Sequence, residues 1–307
     1  MSSAGPLPTT NLQPERYGEV FDRGYAHYDG PRLGRPQAIR SLIGYSMKRA
    51  MGIRKSWTAK VLPFLLYVAV LIPVIAMIGI DALVPDFEFS SYTTYISWTM
   101  VVVGIFVAMT APEMICVDRR ERTLPLYFSR AITRTDYIGA KAVAITLLTT
   151  TMTLLPLAIL WLGRQLSAGS VWSSIRNNID DLGKIIFLGL LISLTFGIVA
   201  LAVSSLTDRK AVAITIIFIG FIVLNAISAV SMELLEDYDW SRYLVLLSFN
   251  SVFVAISYHL FDDLSLQSQP MIEQANLSLW VYTAWCLALI VLGMLFLRWR
   301  YSPRDDS

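Results

Sequence analysis

Apolar residues are gathered into long blocks along this chain. Six runs, 61–80, 93–112, 142–162, 185–206, 211–231 and 279–297, contain no Asp, Glu, Lys, Arg or His. Each run is 19 to 22 residues long. A helix rises 1.5 Å per residue, so about 20 residues cross a ~30 Å hydrocarbon core. Backbone groups in lipid must bond within their own segment, and the runs lack the alternation of barrel strands, so each is read as a helix. The expected fold is all-α: a polytopic membrane protein with six transmembrane helices. The first run lies too deep for a cleaved leader and is expected to act as its own insertion signal.

Between the runs the pattern changes. Residues 1–35 are rich in Pro, Gly, Tyr and charge without periodicity, which predicts a flexible tail. In 36–60, Ile39, Leu42, Ile43, Met47, Ala50 and Met51 recur at helical spacing, while Arg40, Lys48, Arg49, Arg54, Lys55 and Lys60 supply a polar side. This is a basic amphipathic helix, suited to the surface of anionic lipid or, more plainly, a charged flank that sets topology. The segment 113–141 mixes dense charge with Leu124, Leu126, Tyr127, Phe128 and Ile132. It is longer than a connector needs and is read either as a folded bracket able to dock a partner or as helix extension with snorkelling arginines. The loop 232–278 holds seven acidic residues against one Arg and should pack over one mouth of the bundle. Within it, 243–261 is free of Asp, Glu, Lys and Arg; a helix or re-entrant hairpin at the outer surface is preferred there to a seventh span.

Charge sets the orientation. Lys and Arg number ten in 1–60, none in 81–92, six in 113–141, three in 163–184, two in 207–210, one in 232–278 and three in 298–307. Alternate segments thus carry 21 on one side and four on the other. Basic loops stay inside, so both termini, including the tail 301–307, are expected in the cytoplasm. A plasma membrane, of the prokaryotic inner type, is the expected location. The composition agrees: 55% hydrophobic, 16% charged, a mean hydropathy of +0.56 and a net charge of only +2. Nucleic acid is not an expected partner.

Chemistry-bearing patterns are sparse. Cys116 and Cys286 are isolated and His27 and His259 are the only histidines, so neither a disulfide nor a metal site is expected. There is no phosphate-binding G-x-x-x-x-G-K-[ST] loop, no H-E-x-x-H, no G-x-S-x-G and no paired intramembrane carboxylates. The chain is therefore not expected to be an enzyme, nor to hold a cofactor itself. Gly189, Ser193 and Gly197 form a stripe of small residues that lets helices approach closely. The third run carries Thr146, Thr149, Thr150, Thr151 and Thr153. Thr149, Thr153 and Asn225 are candidates for a polar pathway, although threonines back-bonded to the helix and an amide bridging two helices are the more ordinary account of them. Pro63, Pro73 and Pro156 should kink their helices. Glu113 needs a partner at the end of its span, and Arg119, Arg120 and Arg122 are candidates.

The layout of 36–300 resembles the permeases of type-2 ATP-binding-cassette (ABC) exporters. Those have an amphipathic helix, six spans, a charged coupling segment between spans two and three, and a large outer region between spans five and six. The coupling segment carries the resemblance in Glu113, the cluster Asp118, Arg119, Arg120 and Glu121, then Thr123-Leu124, Ser129-Arg130, Arg134, Tyr137 and Lys141. Arg122 stands where the family often has Gly, and Ala131 where it often has Pro. Leu247-Ser248-Phe249-Asn250 is similar to an element before the last span. The resemblance implies two permease chains around one pathway and two ATPase subunits beneath, which bind ATP and Mg²⁺. It further implies a docking rim of Asp118, Arg119, Arg120, Glu121 and Arg122 and an apolar wedge of Leu124, Tyr127 and Phe128. A membrane scaffold or sensor without transport, or a lipid-modifying enzyme, are the competing classes; the latter lacks any cluster of acid, base or metal ligands. Single cysteines placed at 86 or 265 should react with an impermeant maleimide from outside intact cells, and one replacing Thr133 only after lysis. Labelling of position 133 from outside would reverse the orientation.

Overall fold

The computed structural model describes residues 34–53, 57–83, 91–129, 132–167, 171–262 and 270–302. The tail assigned to 1–35 therefore lies almost wholly outside the described residues, as do Arg54, Lys55, Arg130, Ala131 and 303–307. Every described element is helical: α1 (Arg35–Ala50), α2 (Trp57–Leu83), α3 (Tyr92–Arg120), α4 (Leu124–Phe128), α5 (Arg134–Ser167), α6 (Val171–Asn177), α7 (Ile179–Ser204), α8 (Lys210–Leu234), a 3₁₀ helix (Ser241–Leu247), α9 (Phe249–Phe261), α10 (Pro270–Ala275) and α11 (Leu279–Arg300).

Six of these, α2, α3, α5, α7, α8 and α11, are long and apolar enough to cross a membrane. Five of them contain their uncharged run whole, and α7 ends at Ser204, two residues before its run does. The helices pass without a break through Pro63, Pro73, Pro112 and Pro156. Their roles differ by depth. The apolar windows of α3 and α7 are 78% and 67% buried within the chain, those of α8, α11 and α2 only 17%, 22% and 28%. So α3 and α7 form the axis. α5, α8, α9 and α2 pack around α3, while α5, α11, α8 and α9 pack around α7.

The α5–α7 seam is closed by the small-residue stripe. A Cβ at position 189 would stand 2.2 Å from Leu154 Cδ2, and one at 197 would stand 3.0 Å from Ile145 Cγ2. Ser193 Oγ lies 3.2 Å from Thr153 Oγ1 across this seam and donates back to the Gly189 carbonyl at 2.6 Å. The small residues thus serve packing within one chain.

α1 differs from the lipid-surface helix read from its pattern. Its stripe packs on protein: Leu42, Ser46 and Ala50 are buried, and the helix rests on α5 and the end of α3. Arg49, counted on the polar side, turns inward. At the opposite end of the bundle, 243–261 is not one straight helix. The 3₁₀ helix and α9 meet at a bend of 103°. Ser228 Oγ of α8 donates to the Leu244 carbonyl at 2.8 Å, and Ser248 Oγ to Asn225 Oδ1 at 3.0 Å. Asn225 precedes the end of α8 by nine residues, roughly 14 Å of rise. The chain therefore turns back along α8 to mid-depth before α9 returns. Thirteen residues span roughly 20 Å, too little to cross. Ser248 caps α9 by accepting from Ser251 N, and Thr93 with Ser257 (3.1 Å) and the tilted ring pair Tyr92–Phe261 (4.4 Å) fix its far end. The reading of a surface hairpin is corrected in one respect: α9 is core, with Val252 through Ser257 all buried.

Replacing Gly189 by Val should lower the thermal midpoint of the detergent-purified protein, by the equivalent of ~1–3 kcal/mol, because the branched side chain overlaps Leu154. Adding Leu154→Ala should recover part of the loss. An unchanged midpoint would mean that the seam is looser than its geometry.

Candidate coupling site

The uncharged run in α3 ends at Pro112, but the helix continues for two turns, to Arg120. This places Glu113 and Asp118 on helical backbone, both buried. α5 presents Tyr137 and Lys141, one turn apart on one face. α1 presents Ser46 and Arg49. The three faces meet on Asp118. Its Oδ1 accepts from Arg49 Nη1 at 2.9 Å; its Oδ2 accepts from Lys141 Nζ at 2.7 Å and Tyr137 OH at 2.9 Å. Lys141 also donates to Ser46 Oγ at 3.0 Å. Arg49 reaches Glu121 at 3.0 Å and Glu113 at 3.8 Å, and Lys210 of α8 reaches Glu113 at 2.5 Å. Three cations face three carboxylates, so the cluster is neutral. Neutrality matters because a lone ion at such depth costs several kcal/mol. Burial works against the Arg49 charge, yet Asp118, Tyr45 and Glu121 outweigh it and hold the guanidinium charged.

The partners named for Glu113 from sequence are corrected here. Arg119, Arg120 and Arg122 follow it by six to nine residues, which on a helix is roughly 9–14 Å along the axis. Arg119 instead pairs with Asp208 at 2.7 Å and donates to the Ser205 carbonyl. Arg120 and Arg122 are exposed. The true partners, Arg49 and Lys210, lie more than sixty positions away, and no local pattern marks them. Tyr301, Ser46 and Asp208 were missed for the same reason.

α3 ends in a motif that needs a left-handed residue. Arg122 has φ 52°; its N–H reaches the Arg119 carbonyl at 3.1 Å and the next N–H, of Thr123, reaches that of Asp118 at 3.1 Å. This is the paired closure usually completed by glycine. Glycine reaches this conformation without strain, whereas Arg122 meets it at a steric cost. α4 follows at once. Leu124, Tyr127 and Phe128 pack inward on the core, whereas Leu126 is 67% exposed. The rings of Tyr127 and Phe128 lie 5.8 and 6.0 Å from that of Tyr137. Burial, with Asp118 nearby, pushes the Tyr127 hydroxyl up to about 12, so it stays neutral. The chain then enters α5 through a capping box: Thr133 N donates to Asp136 Oδ2 at 2.9 Å and Asp136 N to Thr133 Oγ1 at 3.2 Å. Arg35 of α1 clamps Asp136 with two bonds of 2.9 and 2.8 Å. Arg134 donates to the Tyr301 carbonyl at 3.2 Å and lies over Phe128. Arg130 is outside the described residues.

The pathway candidates are not brought together. Thr149 and Thr153 are buried and donate to the carbonyls of Ile145 and Thr149, at 2.9 and 3.1 Å. Asn225 bridges α8 to Ser248 and borders a small mid-depth cavity of about 60 Å³ with Gly104, Phe196, Phe221, Phe249 and Asn250.

Six crossing helices, a buried charge cluster at one end and a short exposed-tipped helix between the second and third crossings form the geometry to be compared. The family described as "ABC-2 family transporter protein" matches residues 8–305. The chain belongs to the ABC-2 transporter family. It is thus a multi-pass membrane permease component of an ABC transporter, a transport subunit rather than an enzyme. Membership implies association with an ATP-binding-cassette subunit. A comparison with curated proteins yields no match.

In this permease Asp118→Ala leaves Lys141 and Arg49 buried without their carboxylate. We expect a loss of ~3–5 kcal/mol, read as a lower thermal midpoint and reduced yield of folded protein. Asp118→Leu combined with Lys141→Met should be less damaging than either change alone. Additive losses would show that the pair does not interact.

Proposed function

We propose that this ABC-2 permease is the membrane half of an ATP-driven exporter and that α4, with the rim around it, receives the stroke of a separate ATPase. ATP and Mg²⁺ are held by that partner. Two permease chains, identical or not, enclose the pathway, and the exposed apolar faces of α2, α8 and α11 leave room for lipid and for the second chain. The basic end of the bundle, with both termini, faces the cytoplasm, following the distribution of 21 against four cations.

One observation carries the reading. α4 is an exposed-tipped helix with no freedom of its own: α3's closing hydrogen bonds fix its start, and Leu124, Tyr127 and Phe128 bind it to the core. A push on Leu126 passes into α3, the axis of the bundle, and through the Asp118 cluster into α1 and α5. Coupling needs such a rigid element whose position both partners bias. The reading from sequence is thereby divided. Leu126, Arg120, Glu121 and Arg122 form the contact face; Leu124, Tyr127 and Phe128 form the anchor; Asp118 and Arg119 are internal braces.

Leu126→Asp should abolish co-purification of the ATPase, or weaken it at least about tenfold, through the cost of burying a charge at a contact centre. Its thermal midpoint should match the parent. Leu124→Asp or Phe128→Asp should leave insertion intact but free α4, so that ATP hydrolysis continues without transport. Unchanged transport in all three variants would reject α4 as the receiver.

A further inference from the structure

Beside α4, at the basic end of the bundle, lies an open cleft of about 530 Å³ bordered by Arg119, Arg134 and Arg300, with Leu124, Phe128 and Tyr301 as apolar walls. The proposed coupling uses Leu124, Phe128 and Arg119 on its walls but gives no role to the space between them or to Arg300. No carboxylate borders it among the described residues. Arg119 is balanced by Asp208, and Arg134 spends one N–H on the Tyr301 carbonyl. Arg300 has no acidic partner among the described residues. A guanidinium carries five N–H donors, so most of the fifteen in the cleft's lining remain for a ligand. Such a concentration of forked donors suits a phosphate.

The surroundings select the source of that phosphate. One and two turns before Arg300 on α11 stand Phe296 and Leu292, the latter 61% exposed, on a helix that crosses the membrane. Trp299, 67% exposed, lies beside Phe296 with ring centroids 5.9 Å apart, the amphipathic ring expected at a membrane boundary. Arg300, at the cleft's edge, thus stands at the end of an apolar track on the same helix. A soluble phosphate compound has no use for that track, and no glycine borders the cleft among the described residues. We propose that this cleft is a binding site for an anionic glycerophospholipid. The phosphate sits among Arg119, Arg134 and Arg300, and an acyl chain lies along Leu292 and Phe296. Because α4 forms one wall, the bound lipid braces the coupling helix against α5 and α11.

The test is independent of transport. Purified protein is incubated with phosphatidylglycerol or phosphatidylcholine in mild detergent, and bound lipid is counted by native mass spectrometry. The parent should retain one phosphatidylglycerol per chain in preference to phosphatidylcholine. Arg300→Gln should weaken retention about fivefold, the share of one cation near the membrane surface. Arg298→Gln, two residues away and so turned to another face of α11, should leave it unchanged. Equal losses in the two variants, or no preference for the anionic lipid, would overturn the site. Displacement of the lipid by millimolar inorganic phosphate would reassign it to a free anion and overturn the lipid. Loss of the ATPase from Arg300→Gln with lipid retention intact would make the cleft a protein dock and equally overturn the proposal.

Discussion

A carboxylate that neither water nor lipid can solvate must be surrounded by donors, and Asp118 is the point on which this molecule closes. Five polar side chains from α1, α3 and α5 are joined there by four contacts of 2.7 to 3.0 Å, three of them to Asp118 itself. Each helix alone would carry an intolerable charge into an apolar boundary; together they are neutral. The cluster therefore specifies which helix ends are neighbours, at a place where apolar packing would accept several alternatives. Ion pairs of this kind contribute little net stability and much selectivity.

Around that point the bundle is graded. α3 and α7 are enclosed by protein, and on the α5–α7 seam a Cβ at Gly189 would overlap the Leu154 side chain. α8 and α11 show most of their surface outward. The turned-back segment ending in α9 fills one end of the bundle with protein, and the charge cluster braces the other. Motion that rearranges the permease has to pass through α3, which touches both ends.

The six crossings were legible because length and lack of charge are local properties of a run. What was not legible was pairing. The α1 stripe is plain in the sequence, yet the same stripe suits lipid and protein, and only α5 decides between them. The two charged turns closing α3 left a folded bracket and a helix extension equally open in the sequence, and the helix does extend to Arg120; nothing local announces that Arg49 and Lys210 will neutralise them. Leu124, Tyr127 and Phe128 were recognisable as apolar members of the coupling segment, but α4 has only five residues, too few to show which face is inward. The small-residue stripe was the exception: its spacing told of close approach, and Leu154 and Ile145 supply the neighbours. Asn225 and the threonines illustrate the opposite, since an amide bridging to Ser248 and hydroxyls turned to their own helix look in sequence like a polar lining.

The left-handed residue at the end of α3 has a mechanical meaning. Two backbone hydrogen bonds, made by the N–H groups of Arg122 and Thr123, lock the corner between a long helix and a short one. A corner locked through the main chain does not slacken when side chains on its surface vary. Exposed residues around the corner can thus change without altering the angle between the two helices.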